Sequence, residues 1–91
     1  MPVDKIAKIR QEIDKNDSVI IKTLAKRQIL ITKIAHFKDP KQIRDLEREK
    51  EIIANASSLA KKNNLDPKFI ENLYKLILKQ SKQEIKKLLQ K

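Results

Sequence analysis

The sequence predicts an all-α fold of three helices, over about 4–38, 40–62 and 67–90, on three observations. Apolar residues recur at helical spacing along nearly the whole chain, with no alternating strand pattern. Glycine is absent among the 91 residues, so its usual punctuation is missing. Only two interior points, Asp39-Pro40 and Asp66-Pro67, carry a clear helix-start signal. Ninety-one residues suffice for one domain, 1–91, and leave no room for a second core.

The first helix carries two interleaved heptad registers. One runs Ile6, Ile13, Ile20, Arg27, Ile34 and the other Arg10, Asp17, Leu24, Ile31, Lys38, so three cations stand on an otherwise apolar seam. A 35-residue helix is about 52 Å long at about 1.5 Å per residue. A compact chain of this size has a radius of gyration of about 12 Å and is about 30 Å across. Such a helix overhangs its own fold, and a two-fold dimer in which two copies cover each other's seam is the simplest solution.

At the second helix, Asp39 is placed as N-cap, Pro40 at the first helical position and Gln42 three residues after the cap, the spacing of a capping box. It opens with Ile43-Arg44-Asp45-Leu46-Glu47-Arg48-Glu49, in which Asp45, Arg48, Glu49 and Ile52 share a face. A solvated face with intrahelical ion pairs accounts for this pattern, but Leu46 and Ile53 bracket Glu49 in the apolar stripe and direct it inward. At the third helix Asp66 caps, Pro67 follows, and Leu65 and Ile70 have the spacing of a hydrophobic staple. Asn63-Asn64 supplies the left-handed stop that a glycine-free chain must find elsewhere. The apolar stripe Ile70, Leu73, Ile77 is broken at Ser81 before Glu84 or Ile85 and Leu88. That hydroxyl is either bonded back to its own helix or a ligand contact.

Composition narrows the chemistry. With 22 Lys plus Arg against 12 Asp plus Glu, the chain carries +10 and suits anionic partners. Cys is absent and His36 is the single histidine, so thiolate nucleophiles, disulfides and Cys- or His-based metal clusters are excluded. Lack of glycine removes the phosphate-cradling loops of nucleotide enzymes. No apolar run approaches the roughly 18 residues of a membrane span, and Met1-Pro2-Val3-Asp4-Lys5 lacks a signal-peptide core, so a soluble, cytoplasmic chain without membrane contact is expected. Eighteen of the basic residues are Lys; the four Arg, at 10, 27, 44 and 48, offer planar bidentate forks for carboxylate or phosphate. Arg10 and Arg27 lie about 25 Å apart along one helix and cannot hold one small ligand in one chain. An antiparallel partner brings Arg10 of one subunit toward Arg27 and Lys38 of the other, giving two composite cationic pockets. Interface ion pairs with Asp17 or Asp45 are the plainer account of the same arginines.

In order, Ile9-Arg10-Gln11-Glu12-Ile13-Asp14 with Asp17, Leu24-Ala25-Lys26-Arg27, Lys38, Ile43 to Glu49, Asn64-Leu65-Asp66, Leu76-Ile77-Leu78 and Ser81 form a pattern that resembles the all-helical chorismate mutases of the AroQ class, over essentially the whole chain. The resemblance implies an intertwined helical homodimer of chorismate mutase II type, with two active sites shared between subunits. It implies conversion of chorismate to prephenate, a step in aromatic amino-acid biosynthesis, by an intramolecular rearrangement needing no cofactor or metal. It further implies that Arg10 from the partner subunit and Arg27 clamp carboxylates, and that Lys38 bridges a carboxylate and the ether oxygen. Arg48 orients the ring end, Glu49 accepts from the ring hydroxyl with Asp45 contributing, Ser81 touches a carboxylate, and Arg44 supports electrostatically.

Two departures stand out. The connection from Lys38 to Ile43 is shorter than in many relatives. One turn after Ser81, where the family usually places a Gln or Glu that donates to the ether oxygen, this chain has Ile85; Glu84, in its protonated form, is the candidate substitute. An isochorismate-pyruvate lyase on the same scaffold is the alternative activity, with Asp45 and Glu49 favouring the mutase. A weakly active or regulatory homologue is suggested by Ile85. A basic nucleic-acid binder is the distant alternative, disfavoured because Phe37, Phe69 and Tyr74 are the whole aromatic complement and the lysines form no stripe.

Overall fold

A computed structural model describes residues 2–37 and 45–89, and these form three helices: α1 (Pro2–Ala35), α2 (Leu46–Lys62) and α3 (Pro67–Leu89). No strand occurs among the described residues, as the periodicity predicts. The chain divides into two compact units, Met1–Lys33 and Ile34–Lys91. No described helix is long and apolar enough to cross a membrane.

The first unit is α1 up to Lys33. Its 34 residues span about 51 Å, with Asp4 in the first turn and Lys33 in the last, where each charge complements the helix dipole. Thr23 and Thr32 donate their hydroxyls to the carbonyls of Val19 (2.7 Å) and Gln28 (2.9 Å), the back-bonding that lets a β-branched hydroxyl sit inside a helix. The seam residues Ile6, Ile13, Ile20 and Ile34 each remain half or more exposed in the single chain, together with Ile9, Val19, Ile21, Ile29 and Leu30. The helix ends at Ala35 rather than 38: the Phe37 amide donates to the Ile34 carbonyl at 2.9 Å, a tighter i−3 bond that closes the last turn, and His36 and Phe37 are exposed.

The second unit holds an αα-hairpin in which α2 packs against α3. The buried residues of the hairpin are Ala56 and Ala60 from α2 and Leu78, Ser81 and Ile85 from α3. Half-buried Glu49, Ile52, Ile53 and Ser57 extend the α2 stripe at helical spacing, and Ile70, Tyr74 and Ile77 do so on α3. Glu49 at the start of α2 meets Lys82 near the end of α3, which makes the two helices antiparallel.

The connection follows the predicted stop and start. Asn64 takes the left-handed conformation at φ 59°, the Leu65 amide donates to the Ala60 carbonyl (2.8 Å) and the Asn64 amide to that of Lys61 (3.3 Å), which together make a Schellman motif. Asp66 then accepts from the Lys68 amide at 3.0 Å and caps α3. The second helix begins later than the capping-box reading places it. Asp45, extended at φ −108° and ψ 93°, is the N-cap, and its carboxylate accepts from the Arg48 amide at 3.0 Å. Glu47 and Glu49 in the first turn favour that start by opposing the helix dipole. The expected cap of Asp39, Pro40 and Gln42 lies outside the described residues.

Candidate active site

The clearest constellation sits where the first turn of α2 faces the C-terminal half of α3. Glu49 is fixed by the Asp45 cap, since its amide donates to the Asp45 carbonyl at 3.0 Å as the helix begins. Its side chain turns toward α3, as the bracketing by Leu46 and Ile53 predicts. There Glu49 Oε1 meets Lys82 Nζ at 2.7 Å, with the two side chains 19% and 31% exposed. The pair is therefore partly shielded from solvent, and its attraction exceeds that of an exposed surface pair.

Asp45 does not share one helix face with Glu49 in the way the spacing predicts, because it is not helical; one of its carboxylate oxygens is engaged by the Arg48 amide. The Arg48 guanidinium pairs with Glu51 on its own helix, and both are exposed in the single chain. For Arg48 this is the intrahelical pairing anticipated for a charged face.

On α3, Ser81 is buried at 5% exposure and donates its hydroxyl to the Ile77 carbonyl at 2.9 Å, which matches the back-bonded alternative. Ile85, one turn on, is also buried. Glu84 stands partly exposed beside them, accepting from Gln80 Nε2 at 3.0 Å and facing Lys87 Nζ at 3.5 Å.

Arg10 and Arg27 both belong to the first unit, Arg10 exposed and Arg27 half-buried on α1. Lys38 and Arg44 lie outside the described residues. Within the second unit the structure thus brings together Glu49, Ser81 and Ile85 on the two facing helices and adds Lys82, which the sequence reading did not single out. The signal was present: Leu78, Lys82 and Ile85 fall at i, i+4 and i+7, so Lys82 occupies a place in the buried stripe.

The model of the family described as chorismate mutase type II matches residues 9–86, a span that includes every candidate residue from Arg10 to Ile85. The chain belongs to the chorismate mutase type II family. Among named relatives, a bifunctional chorismate mutase/prephenate dehydratase of Buchnera aphidicola subsp. Schizaphis graminum is 43% identical over 84 residues, covering 90% of this chain and 22% of the relative. A protein of the same name from Enterobacter agglomerans is 33% identical over 92 residues, covering 99% of this chain and 24% of the relative. A protein named chorismate mutase from Methanocaldococcus jannaschii is 32% identical over 82 residues, which is 88% of this chain and 83% of that one. The chain thus spans about a quarter or less of the bifunctional relatives it matches. Membership of the chorismate mutase type II family agrees with the three-helix architecture.

Proposed function

We propose that this chain is a chorismate mutase domain over 1–91 that converts chorismate to prephenate. The observation that carries the reading is the family match over residues 9–86, a span that contains Arg10, Arg27, Lys38, Asp45, Arg48, Glu49 and Ser81. In the rearrangement the ether C–O bond breaks as a C–C bond forms within one molecule, and no proton or leaving group departs. The protein's work is to hold the compact dianion and to stabilise negative charge on the ether oxygen. Arg10 and Arg27 clamp the carboxylates, Lys38 spans a carboxylate and the ether oxygen, Arg48 orients the ring end, and Glu49 with Asp45 accepts from the ring hydroxyl. Ser81 lies where a carboxylate contact is expected.

The domain acts as a homodimer, with Arg10 contributed across the interface. Support comes from α1, whose apolar residues stand exposed along its whole length in the single chain. A long helix with such a face is stable in water only when another surface covers it.

The test is incubation of purified protein with chorismate, following loss of substrate absorbance and identifying prephenate as product. Turnover far above the uncatalysed rate, lost in Arg27→Ala by about 100-fold or more, is the expected result. Pyruvate formed from isochorismate in its place establishes the lyase. A second reading, a weakly active or regulatory homologue, is favoured by buried Ile85 in the place of the usual donor; folded, dimeric protein that binds chorismate without turnover establishes it.

A further inference from the structure

We propose that Lys82 is a catalytic residue of this chain, its ammonium supplying to the substrate's ether oxygen the donor that Ile85 cannot. The inference rests on the mutase reading above. Three observations lead to it. Ile85 is buried and wholly apolar, so the position one turn after Ser81 presents no hydrogen-bond donor. Lys82 precedes Ile85 by three residues, and side chains at that spacing start about 5–6 Å apart on one helix face, well within the reach of a four-carbon stem. Its ammonium is held at a defined point, 2.7 Å from Oε1 of Glu49, the residue assigned to the ring hydroxyl.

The chemistry of the pair suits both partners. An ammonium has three N–H donors, and one pairing with a carboxylate oxygen does not exhaust them. Glu49 retains Oε2 to accept from the ring hydroxyl while Oε1 anchors Lys82. Lys82 therefore links the acceptor of the ring hydroxyl to the breaking C–O bond and adds a fixed positive charge where negative charge develops. A point charge on a flexible stem is less directional than an amide but stronger against an oxyanion. Glu84, the other candidate for this role, is engaged by Gln80 and Lys87 on its own helix.

Steady-state kinetics on the wild-type chain, Lys82→Met and the double variant Lys82→Met/Ile85→Gln test the proposal, with thermal melts of all three. Methionine keeps the length and removes the charge. Expected is a fall in kcat of about 100-fold or more in Lys82→Met with KM changed little, because the lost contact forms in the transition state. Adding Ile85→Gln restores at least about tenfold, since an amide donor then reaches the same oxygen. Unchanged kcat in Lys82→Met overturns the proposal. So does a slow Lys82→Met that Ile85→Gln does not rescue while both variants melt as the wild type does, which would leave Lys82 a purely structural link between α2 and α3. No turnover by the wild-type chain overturns the mutase reading itself, and Lys82 with it, before either variant is compared.

Discussion

Asn64 sits at φ 59°, where a residue with a Cβ crowds the next carbonyl and where glycine is the usual occupant. Asn tolerates the region because its short polar side chain bonds locally. Replacing it with Ala is expected to destabilise the chain by about 1–2 kcal/mol, whereas Asn64→Gly stays within about 0.5 kcal/mol because entropy lost and strain relieved offset one another; urea unfolding of both variants separates the cases. Asp45→Ala removes the cap of α2 and is expected to cost about 1 kcal/mol. It also loosens the turn that aims Glu49, so its kcat falls further than its stability accounts for. The stop at Asn63-Asn64 and the cap at Asp66 were legible in the sequence because each depends on neighbours within five residues. The Glu49–Lys82 pair was not, because it depends on how two helices register against each other, which the spacing along either one does not contain. Ser81 was visible as a break in an apolar stripe, and it is buried with its hydroxyl donating to Ile77, as the back-bonded reading of that break expects.

At the scale of the elements, the α2–α3 hairpin depends on small residues at its closest approach. Ala56 and Ala60 are buried with no side chain beyond Cβ, and the antiparallel register set by the Glu49–Lys82 pair puts them opposite the α3 segment around Ile70 and Tyr74, which can therefore lie near the α2 backbone. Ala60→Leu forces that interface apart and is expected to destabilise by about 1–3 kcal/mol, measured by chemical unfolding, with loss of activity from displacement of Glu49 relative to Lys82. All three helices and the third helix's start were readable from periodicity and capping. The start of the second was not: Asp39 and Asp45 are both good caps, and local propensity does not rank them. The two glutamates that follow Asp45 were the distinguishing feature.

For the whole molecule, a site shared between subunits makes a sharp prediction. Arg10→Ala and Arg27→Ala are each expected to be inactive alone, yet an equal mixture after subunit exchange regains about a quarter of wild-type activity. Half of the dimers are then mixed, and each mixed dimer has one site with both arginines intact and one with neither. No recovery places both arginines in one chain's site. Ile20→Lys, in the middle of the α1 seam, is expected to shift the protein toward monomer in light scattering and to abolish turnover with it. The proposed dimer rests on helix length and seam pattern, together with the exposure of the α1 isoleucines in the single chain. Those isoleucines also bear on how the protein is made. Residues 2–35 are synthesised before the hairpin exists, and at about 5–20 residues per second the 54 residues from His36 to Leu89 take about 3–11 s to follow. Throughout that interval the apolar seam has no second subunit to cover it. Lys22 follows Ile20-Ile21, Lys26 and Arg27 separate Leu24 from Ile29, and Lys33 separates Ile31 from Ile34, so no five-residue window from Ile20 to Ile34 is free of charge except Gln28-Ile29-Leu30-Ile31-Thr32. The cations interleaved with the apolar residues of α1 therefore act as gatekeepers against aggregation of the nascent chain.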